Sequence, residues 1–145
     1  MSTPPCAFCA VVAGDAAAER VLEHPEVVAF LDVRPVFKGH VLVVTRAHVQ
    51  TLTDLTLDQI PPVFEAVQQV AHAVRSALGA QGSFVAVNNT VSQSVPHLHV
   101  HVVPRTKGDG LRGFFWPRQR YEDGEMSEYA DRLRSVLTSG RSGAR

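Results

Sequence analysis

Apolar residues recur along this chain at two different periods, and the change of period marks its elements. Val27 to Leu31 and Val41 to Thr45 are short, Val-rich runs bounded by Pro25, Pro35 and Gly39, which predicts two strands. Ile60, Val63, Phe64, Val67, Val70, Ala71, Val74 and Leu78 then fall on one stripe at spacings of three and four, which predicts a long helix ended by Gly79. Its start has two readings: Thr56 and Gln59 have capping-box spacing, whereas Pro61 and Pro62 fit best in a first turn and favour a cap nearer Asp58. Phe84 to Asn88 and Leu98 to Val103 read as further strands, Met126 to Leu137 as a second helix, and Ser139 to Arg145 as a disordered tail. Strands before and after one long helix predict a single α+β domain over residues 1–138, an antiparallel sheet covered by helix on one face, followed by the tail 139–145.

One predicted strand alternates in an unusual way: His97-Leu98-His99-Val100-His101. Successive strand side chains point to opposite faces, so three imidazoles project to one side while Leu98, Val100 and Val102 project to the other. An ordinary strand has no reason to gather three imidazoles on one face, where each titrates near neutral pH and costs free energy if buried without a partner. The pattern argues for a site. One chemistry is nucleophilic catalysis, because neutral imidazole attacks well near neutral pH and leaves well once protonated. The other is a metal held by three histidines, although neighbouring positions on one strand are awkward for a tetrahedron.

Composition narrows the class. The chain has 145 residues, 45% of them hydrophobic, which is enough for one core. With 14 basic and 14 acidic residues there is no global field for nucleic acid or an anionic membrane. The longest apolar run, Cys6 to Ala13, is too short to span a bilayer, and Met1-Ser2-Thr3-Pro4-Pro5 lacks the basic and apolar character of a signal peptide. These features predict a cytoplasmic protein whose two cysteines are reduced and available as thiols or metal ligands.

The segment Gln93-Ser94-Val95-Pro96-His97-Leu98-His99-Val100-His101-Val102-Val103 resembles the signature of the histidine triad (HIT) superfamily. Cys6-Ala7-Phe8-Cys9, Phe30-Leu31-Asp32 and Lys38-Gly39-His40 through Ala47-His48 are similar to that family's other landmarks, in the same order. The resemblance implies a HIT-like α+β fold and places His99 as the nucleophile that carries a nucleoside monophosphate, with His101 on the non-bridging phosphate oxygens. It sets Gln93 and Ser94 against the phosphate and leaving group, and either Asn88 or Asn89 as a further contact, with turn-making as the competing reading for an asparagine pair in a loop. Ser92 stands where that pattern usually has glycine. Asp32 is implied as the ribose contact, with a turn residue as the competing reading, and Phe8, Phe30 and Val33 as walls for a purine base, Phe30 being equally readable as core.

Cys6-x-x-Cys9 has three readings: a redox pair, which would need a βαβ unit and a helix opening at the motif, neither of which is expected here; two packed apolar side chains; or half of a zinc site. By resemblance, structural zinc would be held by Cys6, Cys9, His48 and His97. Gly108-Asp109-Gly110-Leu111-Arg112-Gly113 matches a dinucleotide-binding pattern but leads into Phe114-Phe115-Trp116, so it reads as a glycine-rich loop. Arg105, Lys107, Arg112, Arg118 and Arg120 around it read as solvated charge or as contacts for outer phosphates. His40 supports the site by resemblance, and His72 reads as a helix residue. The expected activity is hydrolysis or nucleotidyl transfer at the α-phosphate of nucleoside phosphoramidates, nucleotidyl anhydrides or dinucleoside polyphosphates. The alternative is a nucleotide-binding regulatory protein with little turnover. A homodimer is expected, with the Phe114–Trp116 cluster as a candidate contact.

Overall fold

The structure is a computed structural model that describes residues 6–111 and 118–139. Its elements are α1 (Ala7–Ala13), β1 (Arg20–Glu23), β2 (Val27–Leu31), β3 (Val41–Thr45), α2 (Ile60–Leu78), β4 (Gly82–Ala86), β5 (His99–Arg105) and α3 (Glu125–Ser139), with one 3-10 turn at Leu52–Asp54. They fall into two compact units, residues 1–109 and 110–145.

In the first unit five strands form one sheet in the order β1-β2-β3-β5-β4, and every neighbouring pair is antiparallel. The α+β class expected from the sequence is what the chain adopts. Pairing opposes Ala29 to Val43 and Val43 to Val100, so these residues share one face, where α2 contributes Val63, Ala66, Val67, Val70 and Val74 to a common core. Phe30 opposes Leu42, which opposes His101, and Val28 opposes Val44, which opposes His99. That second face is also covered. Val28, Phe30, Leu42 and Val44 pack with Val11 of α1, flanked by Phe8, Val12, Ala16 and Ala18. Cover on both faces explains why β2 and β3 read as continuous apolar runs rather than as an alternation.

The structure corrects the sequence reading at α1. No helix was expected at Cys6-x-x-Cys9, yet Cys6 is the N-cap of α1, its sulfur accepting the Cys9 N–H at 3.4 Å. Seven residues are too few to show a stripe or to hold a helix alone, and packing of Phe8, Val11 and Val12 on the sheet stabilises the turn instead. The redox reading also required a βαβ unit, and the strands that follow α1 are antiparallel. β1 was not expected either, and β4 begins two residues before Phe84 and ends at Ala86, leaving Asn88 in the following loop. α2 begins with Gln59 as its cap and the prolines in its first turn, as the proline signal favours; Thr56 is not the cap, and its N–H donates to Gln59 Oε1 at 2.9 Å in the turn ahead of the helix. Among the described residues no helix is long and apolar enough to cross a membrane.

The second unit contains the shorter C-terminal helix, α3. Glu125 and Glu128 lie in its first turn, where the helix dipole favours negative charge, and Tyr121 packs edge-on against Tyr129 at 5.8 Å. It ends at Ser139; the rest of the expected tail, residues 140–145, and the Phe114–Trp116 cluster lie outside the described residues.

Candidate active site and metal centre

β5 begins at His99, so His97 stands just before the ladder, and His99 and His101 occupy alternate positions on the α1 face. All three rings still gather on one side. Phe8 of α1 packs edge-on against His99 at 4.9 Å and His97 at 6.0 Å, and the His99 and His101 rings are 5.0 Å apart. A cavity of about 470 Å³ opens here, lined by Phe8, Phe30, Asp32, Val33, Ser94, His99 and His101 among others. Seven of the residues expected to form the site therefore share one cleft. Phe30 is both core, at 4% exposure, and cavity wall, whereas Val33 is 90% exposed at the mouth.

Hydrogen bonds assign the tautomers. His99 Nδ1 lies 2.7 Å from the His97 carbonyl, which can only accept, so Nδ1 carries the proton and Nε2 of the neutral ring keeps its lone pair. The Val36 N–H donates to His40 Nδ1 at 3.1 Å, so His40 Nε2 carries a proton and donates to His101 Nδ1 at 2.9 Å. The proton of neutral His101 is thereby fixed on Nε2. A ring with a free lone pair thus stands beside a ring with a free N–H. Burial, with His99 and His40 alongside, lowers the His101 pKa to about 4 against the opposing pull of Asp32, so the ring is neutral at pH 7. Burial also lowers the His40 pKa, again opposed by Asp32.

His40 reaches this position through Gly39. At φ +95° the backbone is left-handed, and a Cβ there would stand 3.3 Å from Pro104 Cγ and 2.5 Å from Leu78 Cδ1. Asp32 Oδ1 accepts the Arg34 N–H at 2.9 Å, so the turn reading and the cavity reading of this residue both hold.

Gln93 and the asparagines are placed differently. Gln93 does not line the cavity: its Oε1 accepts from Thr90 N–H at 2.9 Å and its Nε2 donates to the Gln50 carbonyl at 2.6 Å. Asn89 Oδ1 accepts the Leu52 N–H at 2.7 Å, a long-range bond that ties this loop to the 3-10 turn, and Asn88 is not among the residues lining the cavity. These bonds hold Thr90 and Ser92 at φ of 67° and 61°, in the left-handed region where the sequence lacks glycine.

The second cluster lies on the other side of His97. That ring is fully buried, and its Nε2 donates to the Thr45 carbonyl at 2.7 Å, leaving the Nδ1 lone pair 3.4 Å from Cys6 Sγ and 3.6 Å from Cys9 Sγ. His48 Nδ1 is 3.3 Å from Cys9 Sγ. All four donor atoms lie within 4.8 Å of one another, and a carbonyl bound to the far nitrogen is the usual support of a metal-ligating imidazole. Without a metal, burial and the neighbouring Cys6 raise the Cys9 pKa. Asp32, His40 and His101 also bring donor atoms within 4.8 Å, but both His40 nitrogens are engaged, so this group is a hydrogen-bond relay. The Arg105 guanidinium is bound by Asp109 through two bonds of 2.6 and 3.1 Å, closing the glycine-containing loop.

The HIT domain family model matches residues 13–108, a span that holds the triad, Asp32, His40 and His48. The chain belongs to the HIT domain family. It is 39% identical over 114 residues to "Protein hit" of Bacillus subtilis, covering 77% of this chain and 78% of that one. Adenosine 5'-monophosphoramidase hnt1 of Schizosaccharomyces pombe is 28% identical over 134 residues, 91% of this chain and 98% of that one. The asymmetrical bis(5'-nucleosyl)-tetraphosphatase of the same yeast is 36% identical over 83 residues, 56% of this chain and 46% of that one. Among solved structures, a HIT family member from Bacillus subtilis superposes with a TM-score of 0.83 at 33% identity, covering 91% and 96% of the two chains. A zinc-bound histidine triad family protein from Mycobacterium smegmatis does so with 0.70 at 37% identity, covering 90% and 96%.

The sequence reading missed the carbonyls of His97 and Thr45 and the N–H of Val36, which set three imidazole tautomers and have no side-chain signature. It also missed Ala16, Ala17, Ala18 and Leu42 as cavity walls. Only Leu42 had a signal, its place in an apolar strand.

Proposed function

We propose that this HIT-family chain is a nucleotide hydrolase or nucleotidyl transferase acting at the α-phosphate of nucleoside phosphoramidates, nucleotidyl anhydrides or dinucleoside polyphosphates. The carrying observation is the His99 Nδ1–H bond to the His97 carbonyl, which leaves the Nε2 lone pair of a cavity-lining histidine free as a nucleophile. His99 Nε2 attacks phosphorus, and the bond to the leaving group breaks with its electron pair, an amine taking up a proton from solvent as it departs and a phosphate leaving as the anion. The nucleotidyl-histidine is cationic, its Nδ1–H held by the same carbonyl. Water or another acceptor then attacks phosphorus, returns the electron pair to Nε2 and loses its proton to solvent. His101 Nε2–H donates to a non-bridging oxygen as charge builds there, with Ser94 at the same wall.

A purine fits between Phe8, Phe30 and the alanines, its ribose hydroxyls on Asp32, with Val33 at the rim. With Asn89 engaged by the Leu52 N–H, Asn88 is assigned to the phosphate, and Gln93 acts by holding the loop. The relatives named phosphoramidase and tetraphosphatase support the phosphoramidate and dinucleoside polyphosphate classes. Cys6, Cys9, His48 and His97 fit structural zinc, a reading supported by the zinc-bound neighbour; bound there, the ion would supply cross-linking between α1 and the sheet, with no open position for chemistry. A cytoplasmic homodimer completes the reading: both cysteines are free thiols, and β1 and β4 are the outer strands of the sheet among the described residues.

A panel of adenosine and guanosine phosphoramidates and dinucleoside polyphosphates, assayed for monophosphate release, tests this reading. Turnover of at least one class, lost in His99→Ala, is expected. Nucleotide binding with no release by the wild type would favour a regulatory binder instead.

A further inference from the structure

Cys6 and Cys9 stand in a relation that metal binding does not exhaust. Both sulfurs face the same nitrogen, His97 Nδ1, at 3.4 and 3.6 Å, and both belong to a set of donor atoms that lie within 4.8 Å of one another. Neither thiol is fully buried, and the fourth donor, His48, is exposed, so a small solute can approach from the His48 side. The spacing Cys-x-x-Cys is that of the pairs which disulfide oxidoreductases cycle between thiol and disulfide.

We propose that this pair exchanges zinc for a disulfide: a low-molecular-weight disulfide oxidises Cys6 and Cys9 to one another and expels the metal they hold with His48 and His97. The inference rests on the zinc reading above and extends it. One cysteine thiolate attacks a sulfur of the oxidant, forming a mixed disulfide and releasing one thiolate. The second cysteine thiolate attacks the protein sulfur of that mixed disulfide and releases the other. Two electrons pass from the cysteines to the oxidant, which leaves as two thiols after taking up two protons from solvent, and Zn²⁺ departs. It departs because two of its four donors are gone: a disulfide sulfur carries no thiolate charge, and two imidazoles alone hold zinc weakly. His97 stays fixed through its bond to the Thr45 carbonyl, while His48 has no comparable anchor among the hydrogen bonds of the described residues. Phe8 lies between the two cysteines in the chain and packs on His99, which puts the exchange beside the nucleotide cavity.

The test uses the full chain purified with zinc, treated with oxidised glutathione. Metal release is read with a chromophoric chelator and thiol state by intact mass. The expected result is one zinc released for each Cys6–Cys9 disulfide formed, reversed by reduction with added zinc. Cys9→Ser should instead accumulate glutathione on Cys6, because no second thiol resolves the mixed disulfide. Zinc retained after oxidation, or released while both cysteines of the wild type carry glutathione, would overturn the exchange and leave the zinc site standing. A protein that holds no zinc before oxidation would overturn the zinc site itself, and the exchange with it.

Discussion

The neutral state of His101 has a measurable consequence for stability. An imidazole titrates near 6.5 when exposed, and in the fold burial beside His99 and His40 brings this one to about 4. Between those values the unfolded chain binds a proton that the folded chain refuses, so stability falls as pH drops from about 6.5 to about 4 and is fully present above that window. The difference corresponds to a ceiling of about 3 kcal/mol, and to about 2 kcal/mol once solvent access to part of the ring is allowed for. His40 and His97 are shifted in the same direction, and carboxylates titrate in the same range, so wild type alone cannot isolate the contribution. His101→Asn does: its carbonyl can still accept from His40 Nε2–H, but it does not titrate. Urea unfolding of both proteins across this pH range should show the wild type losing about 2 kcal/mol more than the variant between neutral pH and pH 4. Equal losses would refute a His101 held neutral by its surroundings, and with it the fixed Nε2–H donor.

Two backbone positions make independent predictions. Gly39→Ala forces a Cβ into a left-handed turn beside the rigid ring of Pro104, while the exposed Leu78 methyl can rotate away; the expected cost is about 2–3 kcal/mol in urea unfolding, and a neutral result would refute the tight approach. Ser92→Gly relieves a left-handed serine and should stabilise by about 0.5–1 kcal/mol net of the greater freedom of unfolded glycine; a loss of stability would mean that φ is not 61° in solution.

What the sequence made legible follows from how each signal arises. The α2 stripe runs over nineteen residues and β2 and β3 are continuous valine-rich runs, so the strands and the end of α2 could be read directly, while two competing cap signals left the start of α2 open. α1 and β1 are short and depend on contacts made elsewhere: Phe8 and Val11 pack on strands distant in sequence, and the Arg20 guanidinium ties β1 to the Val11 carbonyl at the end of α1. β4 slid because its first residue, Gly82, has no side chain to contribute to an apolar pattern. In the site, residues recognised by type were brought together, as with Phe8, Asp32, Ser94, His99 and His101 around one cavity. The resemblance sets Gln93 directly on the phosphate, but its amide holds the Thr90 turn to Gln50, a role set by a non-local carbonyl that no spacing announces.

The most direct test of the central claim is to trap the intermediate. A nucleotide substrate labelled in its base, mixed rapidly with enzyme and quenched in alkali, should leave label on the wild-type chain at up to one per active site, released by acid as expected for a phosphorus–nitrogen bond. His99→Ala should carry no label, lose about 10⁴-fold or more of turnover and still bind nucleotide. Turnover by the wild type with no trapped label at any time, or comparable turnover by His99→Ala, would contradict covalent catalysis by this histidine.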